Sequence, residues 1–454
     1  MTNLSKASLI TIKAALIAAL TLLMLIPIGM VKLLINEREN VKLSVKKDVD
    51  SKWGGQQELT GPILVLPYKK DATNIDYAYF LPIEFNIDGD VKAKEQSDGM
   101  YRIPCYQTSM QVSGRFTSPE YEKLGLKPEQ IEWNDAFVLI GISDLQGIKN
   151  QIAFNWDGKT QQISSTILQP STFVKAGLTI KIPVDPVSTG KIYDFNFALT
   201  LNGSDSIVFT PIGKKTHIHL QTAWKNATPV GNFLPTEQKQ TDSGFSVNWD
   251  VLGYNRSFPQ LWLGNDPGLQ KSNIGINLQN PIDQYRQTMR AVKYAVMLIT
   301  LTFVVFFLVE LLSKNRRIHP IQYLLVSFAL VLFYCLLLSI SEYLSFGIAY
   351  LISSIAIITL ITVYSHTIFK NVKQTVTMGI FISVLYLYLY VILRAESTSL
   401  LLGSIGLFIA LASIMFVTRK IDWYKKGDNN SGNDNMPPTY NGDDKPYYNV
   451  NHRE

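Results

Sequence analysis

The chain has 454 residues, of which 47% are hydrophobic and 17% are charged. It is too long for one ordinary compact domain and too apolar for a typical soluble protein. The net charge is +6, but many lysines and arginines flank apolar runs, which is typical of a membrane protein and argues against nucleic acid as a partner. The two cysteines, Cys105 and Cys335, lie in regions of different character. This argues against a disulfide framework and against a cysteine-based metal site.

The first apolar run extends from Leu9 to Ile35 and is interrupted by Lys13, Lys32 and a few small polar residues. It is longer than the core of a signal peptide, and no A-x-A-like cleavage site follows it. The run therefore predicts an uncleaved anchor helix, with a cleaved signal as the alternative. Pro27 and Gly29 are expected to kink the outer end of this helix.

Residues 37–290 contain no apolar run long enough to cross a membrane, and their pattern is that of β-strands. Apolar residues alternate with polar or small ones at 178–184, 193–201 and 245–251. Clusters of Gly, Asn and Asp predict turns at 88–90, 157–158 and 202–203. One short helix is predicted to start at Ser118. We expect a β-sandwich or a pair of β subdomains.

Apolar runs of membrane length return after residue 290. A bilayer core needs about 20 apolar residues in a helix, and five segments satisfy this: 291–312, 321–340, 345–364, 375–393 and 399–418. The predicted fold is a membrane α+β protein with six transmembrane helices, one N-terminal and five C-terminal. A large all-β domain is inserted between helices 1 and 2. The predicted regions are 1–36, 37–290, 291–424 and a disordered tail at 425–454.

Positive charges in the loops predict the orientation. They follow the second, fourth and sixth spans, at Lys314, Arg316, Arg317, Lys370, Lys373, Arg419, Lys420, Lys425 and Lys426. The intervening loops are short and not basic. The positive-inside rule therefore predicts that both termini are cytoplasmic and that residues 37–290 are periplasmic.

Polar residues in or beside the spans are the candidate sites. Glu310 lies near the cytoplasmic end of the second span and is either functional or paired with Lys314 one helical turn away. Ser341, Glu342 and Arg394 lie at the outer ends of spans three and five. A pair of Glu342 with Arg394 would hold a ligand or lock the bundle, or would be an ordinary interfacial salt bridge.

The sequence predicts no catalytic residue, no cofactor and no metal site. His217 and His219 share a face of a predicted strand, where both side chains can reach one metal ion, but no further Cys or His nearby completes a ligand set. Nucleophile-elbow, P-loop, HExxH and Rossmann patterns are missing. We therefore expect a protein that is not an enzyme.

Several blocks carry a resemblance to a known family. They are His319-Pro320-Ile321-Gln322-Tyr323, the run from Phe333 to Glu342, and segments 61–68, 133–147, 281–294, 302–312 and 401–424. The chain resembles the CreD family of bacterial inner-membrane proteins over nearly its whole length and departs from it at 227–231. His319 and Gln322 join the candidate polar residues through this motif. The resemblance implies a periplasmic domain and a role in envelope integrity and envelope-stress signalling, but no reaction or ligand.

Two functions remain open, besides an envelope enzyme whose groups sequence cannot reveal. In the first, helices in the lipid bilayer anchor a β domain that binds an unknown envelope protein or cell-wall component. Contact is expected at 61–68 and 231–233; the alternative is that these segments are only a core strand and a turn. In the second, the bundle is a transporter or flippase that uses Glu310, Glu342 and Arg394.

Overall fold

The computed structural model describes residues 6–71, 74–166, 173–174, 176–186, 190–278, 284–312, 318–395 and 398–419. The α-helices in these ranges are α1 (Lys6–Leu23), α2 (Leu25–Trp53), α3 (Gln284–Lys293), α4 (Ala295–Leu312), α5 (Pro320–Ser341), α6 (Phe346–Phe369), α7 (Val372–Arg394) and α8 (Ser399–Thr418). The predicted tail at 425–454 and the loop with Lys314, Arg316 and Arg317 lie outside the described residues.

The strands lie between α2 and α3 and form two sheets. The strands of the first sheet are β1 (Gln57–Lys69), β2 (Ile75–Phe80), β5 (Phe137–Ile142), β8 (Ile163–Thr166), β9 (Gly177–Lys181), β11 (Ser206–Phe209), β13 (Thr228–Gly231), β16 (Leu261–Leu263) and β17 (Ile274–Asn277). The strands of the second are β3 (Glu84–Asp98), β4 (Tyr101–Thr117), β6 (Phe154–Trp156), β7 (Lys159–Gln161), β10 (Ile192–Ser204), β12 (Lys215–Thr222), β14 (Glu237–Thr241) and β15 (Gly244–Leu252).

The strand orders place β1 and β3 inside their sheets. The first sheet runs β13-β17-β11-β1-β5-β9-β8, with β2 paired to β1 and to β16. The second runs β14-β15-β12-β3-β4-β10-β6-β7. Most neighbours are antiparallel, whereas β1 pairs with β11 and β3 pairs with β12 in parallel.

A single hydrophobic core joins the two sheets. It contains Ile63 and Val138 from the first sheet together with Phe195 and Trp249 from the second. Because one cluster draws on both inner faces, the region is a β-sandwich and not a pair of β subdomains. The alternation predicted at 193–201 and 245–251 is confirmed, since every second residue in β10 and β15 is buried.

Three local predictions were wrong. Residues 88–90 and 202–203 lie inside β3 and β10 and do not form turns, although the turn at 157–158 is confirmed. No α-helix begins at Ser118; a short 3-10 helix covers Tyr121–Leu124, and it is one of six such helices in the described ranges. The alternation predicted at 178–184 is confirmed, since Leu178, Ile180, Ile182 and Val184 are all buried, although the strand itself ends at Lys181.

The first apolar run forms α1 and the start of α2, with a break at Met24. Pro27 lacks the N–H that would bind the carbonyl of Leu23, which explains a break one turn before it, whereas Gly29 remains helical. Helix α2 does not end near residue 36 but continues to Trp53. The prediction that β structure begins at residue 37 was therefore about 20 residues too early.

The helices confirm the predicted membrane class. Five described helices are long and apolar enough to cross a bilayer, and α3 with α4, separated by a break at Tyr294, makes a sixth if the two count as one span. Helix α4 lies within the second predicted span at 291–312, which starts earlier if α3 belongs to the same span.

The chain divides into two compact units. The first consists of residues 1–26, 296–330 and 361–454, and the second of residues 27–295 and 331–360. The first unit contains α1, most of α4, the first half of α5, the last part of α6, and α7 and α8. The second contains the β-sandwich, nearly all of α2, α3, and the adjoining halves of α5 and α6.

Candidate functional site

Glu310 is a buried carboxylate within the first unit, with its side chain 7% exposed. Lys13 of α1 forms an ion pair with its Oε1 atom. The backbone N–H of Ile318 donates to the same oxygen at 3.0 Å, and the Tyr323 hydroxyl donates to Oε2 at 3.2 Å. An ionised carboxylate accepts hydrogen bonds at both oxygens. These four residues, which we call the Glu310 site, satisfy a charge that would be costly if left alone in a membrane.

Aromatic packing fixes the tyrosine of the Glu310 site. The rings of Phe303 and Phe306 meet Tyr323 edge-on, with ring centroids 5.5 and 6.1 Å away. Phe306 also stacks on Phe369, at 5.9 Å. The Tyr323 hydroxyl is therefore held towards Glu310 by rigid neighbours. The prediction that Glu310 pairs with Lys314 concerns a residue outside the described ranges; the partner that is described is Lys13.

His319 and Gln322 form the N-terminal cap of α5. The His319 N–H donates to the Gln322 side-chain oxygen at 3.0 Å, and the Ile321 N–H approaches His319 Nδ1 at 3.4 Å. Pro320 occupies the first helical position, where its missing N–H costs nothing. This is a capping-box arrangement with histidine as the cap. The motif thus starts a helix and delivers Tyr323 to Glu310.

Glu342 lies in the second unit, just after α5. The Tyr285 hydroxyl of α3 donates to its Oε1 atom at 3.2 Å. The Tyr101 hydroxyl lies beside that of Tyr285, and Lys42 of α2 lies 5.6 Å from the centre of the Tyr285 ring. We call these four residues the Glu342 cluster. It connects α2, α3, the first residue of β4 and the end of α5, so it ties the β domain to membrane helices of the same unit.

Ser341 and Arg394 have local roles. The Ser341 hydroxyl is buried and donates to the Leu338 carbonyl at 2.9 Å, within its own helix. Arg394 is exposed, and its guanidinium lies 5.9 Å from the Tyr390 ring centre. Each member of the predicted Glu342–Arg394 pair thus has a described partner of its own, and the pair stays a prediction.

In the β domain, His217 and His219 each bind a different neighbour. His217 and His219 project from one face of β12, with Ile218 and Leu220 buried behind them. Their Nδ1 atoms meet Asp250 at 2.8 Å and Asn248 at 2.5 Å. Within the described ranges no three His, Cys, Asp or Glu residues group as metal ligands.

The two predicted contact segments have opposite outcomes. Residues 61–68 are fully buried in β1, a central strand, so the prediction that they contact a partner was wrong. The loop at 231–233 follows an edge strand and is exposed or half-buried. Contact there remains a prediction.

Sequence reasoning missed six residues of these sites: Lys13, Ile318 and Tyr323 at Glu310, and Lys42, Tyr101 and Tyr285 at Glu342. Lys13 had a usable signal, because one cation and one anion in otherwise apolar helices are expected to pair. Tyr323 stands in the family motif but was not singled out. Tyr285 carries no local signal, because its partner Glu342 is 57 residues away.

Comparison with known proteins gives one strong relationship. The family described as "CreD: Inner membrane protein CreD" matches residues 9–424. The chain is 30% identical over 420 residues to the protein described as "Inner membrane protein CreD" of Escherichia coli (strain K12), covering 89% of this chain and 91% of that protein. This similarity and the apolar helices make the chain a multi-pass inner-membrane protein in contact with lipid.

Solved structures add no argument. Two crystal structures of an M1 zinc metallopeptidase from Deinococcus radiodurans, one of them a mutant bound to a Tyr-Ser-Ala substrate, are each 10% identical with a TM-score of 0.20. Each comparison covers 43% of this chain and 42% of the peptidase. Because the family model matches nearly the whole sequence, the chain belongs to the CreD family of inner membrane proteins.

Proposed function

We propose that this protein supports cell-envelope integrity as a non-enzymatic, membrane-anchored binding protein. Its β domain lies in the periplasm and binds another envelope component, while both termini lie in the cytoplasm. The basic loops support this orientation by the positive-inside rule. The family supports a place in the inner membrane.

One observation carries the binding proposal: polar contacts join the β domain to the helices of its unit. Helix α2 continues past its apolar residues and docks on the sandwich. There Lys46 forms a salt bridge with Asp205 at 2.5 Å, and the Ser204 hydroxyl of β10 donates to Asp50 of α2 at 2.6 Å. The Glu342 cluster adds a second attachment. A domain held at fixed height above a bilayer is suited to reaching a stationary envelope component.

The Glu310 site supports a second candidate, transport. A buried carboxylate within the membrane is a functional hypothesis by default, and its pairing with Lys13 can be broken by movement of α1. The alternative is a structural role, in which the same contacts only hold α1, α4 and α5 together. Only activity can separate these roles.

The experiment is survival of a strain that lacks the protein, under detergent and cell-wall antibiotic challenge. It compares the full chain, residues 37–290 exported alone to the periplasm, and a Glu310→Gln, Glu342→Gln double variant. Residues 37–290 include the docked part of α2 and the whole sandwich core, so the exported piece keeps its own core. Glutamine keeps the size of each side chain and removes the charge.

We expect the exported domain to restore part of the survival and the double variant to restore nearly all of it at normal abundance. If the exported domain fails, and the double variant also fails at normal abundance, the helices carry the activity and transport replaces binding.

A further inference from the structure

An open groove of about 600 Å³ lies at one end of the sandwich, where the edge strands of the two sheets follow each other in the chain. Strand β7 is the edge of the second sheet and β8 is the edge of the first, with Gln162 between them. This volume is within the range of sites that hold small molecules. The lining residues used below are Trp133, Asn134, Gln161, Gln162 and Lys181.

Trp133 is the aromatic wall of the groove and is held in one orientation. Its Nε1–H donates to the Pro128 carbonyl at 3.1 Å. Its ring meets Tyr121 edge-on, at 5.4 Å between centroids. The side chain is half-buried, so part of the ring packs on the core and part faces the groove. A fixed indole offers a flat apolar surface to a ligand at little entropic cost.

Three amide side chains supply the polar groups. Asn134 and Gln162 are exposed, and Gln161 is half-buried. None of the three makes a side-chain hydrogen bond with another residue of the described ranges. Each amide offers two donors and one acceptor oxygen. The groove therefore presents several free donors and acceptors beside one aromatic face.

The lining argues against two other ligand classes, phosphates and lipid chains. Lys181 is the cation of the lining, and its Nζ is paired with Asp135 Oδ1 at 2.9 Å, so no unpaired positive charge awaits a phosphate. A lipid chain would leave the three amides without partners, which is costly. A ligand that combines apolar C–H faces with hydroxyl and amide groups fits both parts of the lining. That is the chemistry of an amino sugar.

We propose that this groove binds an N-acetylated glycan chain, with a sugar ring stacked on Trp133 and its hydroxyl and acetamido groups bonded to Asn134, Gln161 and Gln162. The proposal rests on the proposed function, because a periplasmic β domain would meet such chains in the cell wall. It names the class of envelope component that the domain recognises. An extended peptide paired to the edge of β7 is the competing occupant.

The test is titration of the full chain in detergent micelles with the β-1,4-linked tetramer of N-acetylglucosamine, followed by tryptophan fluorescence and calorimetry. We expect saturable binding to one site. Trp133→Ala should weaken it by about tenfold, as expected for an aromatic anchor. Gln162→Ala, at an exposed position where folding is not at risk, should weaken it by a few fold on the same grounds.

Two controls distinguish loss of the aromatic contact from unfolding and from a general effect of removing an aromatic side chain. Trp133→Phe keeps an aromatic face and should retain most of the affinity even if Trp133→Ala unfolds. Tyr254→Ala removes an aromatic side chain that is 84% exposed and is not part of the groove lining, and should change nothing. The proposal is overturned if the tetramer does not bind, if Gln162→Ala and a folded Trp133→Ala bind as the wild type does, or if an extended peptide binds in its place.

The titration also separates this proposal from the proposed function. Binding in micelles depends neither on orientation in the cell nor on survival under stress. If the survival experiment assigns the activity to the helices while the tetramer still binds, the glycan site stands and the proposed function falls.

Discussion

Cys105 is a buried thiol that should resist chemical modification. It is fully buried against Val49 and Ile103, and this burial raises the pKa of its thiol to about 11, with the carboxylates of Asp50 and Asp205 acting in the same direction. Only the thiolate reacts. Relative to an ordinary value of 9.0, the thiolate fraction at pH 8 should be about 100-fold lower.

We therefore expect maleimide to label Cys105 in the folded full chain, in a Cys335→Ser background, at least about 100-fold more slowly at pH 8 than in denaturant. A matched exposed thiol, Ser243→Cys in a chain lacking Cys105 and Cys335, should react at the same rate in both conditions. Equal rates for Cys105 in the two conditions would contradict the burial.

The same pKa carries a stability term with a definite sign. The folded pKa lies above the unfolded one, so the folded state holds the proton more tightly. The stabilisation is complete below about pH 9 and is lost as the pH rises through about 11. Cys105→Ser removes this term, and the alkaline loss of stability should be shallower in that variant.

At the scale of elements, the attachment of α2 to the sandwich depends on one buried charge. Asp205 is 2% exposed, pairs with Lys46 of α2, and joins β10 to β11 with a φ of 59°. Asparagine tolerates this left-handed conformation, whereas alanine does not. Asp205→Asn therefore removes the charge alone, and Asp205→Ala adds backbone strain.

Removing one partner of a buried ion pair typically costs about 3 to 5 kcal/mol. We expect Asp205→Asn to lower the free energy of unfolding of the full chain in detergent by an amount approaching this range, and Asp205→Ala to lower it further. Asp48→Asn breaks an exposed pair with Lys52 on the same helix and should have no measurable effect. A similar small effect from all three variants would mean that the Lys46–Asp205 pair does not hold α2, and that its other contacts do, such as the hydrogen bonds of Asp50 with Ser204 and of Trp53 with Tyr106.

The strands and turns show which parts of the fold local sequence patterns could predict. Alternation of apolar and polar residues predicted β10 and β15, because every second side chain of a strand with one buried face must be apolar. The turns predicted at 88–90 and 202–203 failed because their glycines serve distant neighbours. A Cβ on Gly89 would lie 2.9 Å from a Leu220 side-chain atom, and one on Gly203 would lie 2.3 Å from the Tyr106 hydroxyl. Such contacts are set by the tertiary fold.

The candidate sites show the same limit. Glu310 and Glu342 were singled out because a charge beside apolar helices is conspicuous in any sequence. Both carboxylates accept a tyrosine hydroxyl in the structure, and a function for either stays a prediction. Their described partners were not predicted, since Lys13 is 297 residues from Glu310 and Tyr285 is 57 residues from Glu342. His319 and Gln322 were recognised as a motif, but their capping role became clear only from the hydrogen bonds.

At the scale of the whole molecule, the parity of the spans decides the orientation. If α3 and α4 together cross the bilayer, the six spans place both termini on one side, opposite the β domain. If that broken pair instead enters and leaves on one face, five spans remain, and every segment after α4 changes sides. The break at Tyr294 allows either arrangement by helix length and composition alone. Only six spans place Tyr285, at the start of α3, and Glu342, just after α5, on the same side of the bilayer, as their hydrogen bond requires. Only six spans also put Lys370 and Lys373 in the cytoplasm.

Two exposed positions discriminate between these arrangements: Ser243 in the β domain and Thr367 near the end of α6. Each is replaced by Cys in a chain lacking Cys105 and Cys335, and intact cells are treated with a reagent that cannot cross the inner membrane. Six spans predict labelling of Ser243→Cys in intact cells and labelling of Thr367→Cys only after the membrane is permeabilised. Labelling of both in intact cells would establish five spans and would move the C-terminus to the periplasm. Protection of Ser243→Cys would instead place the β domain in the cytoplasm, where no cell-wall glycan is within its reach.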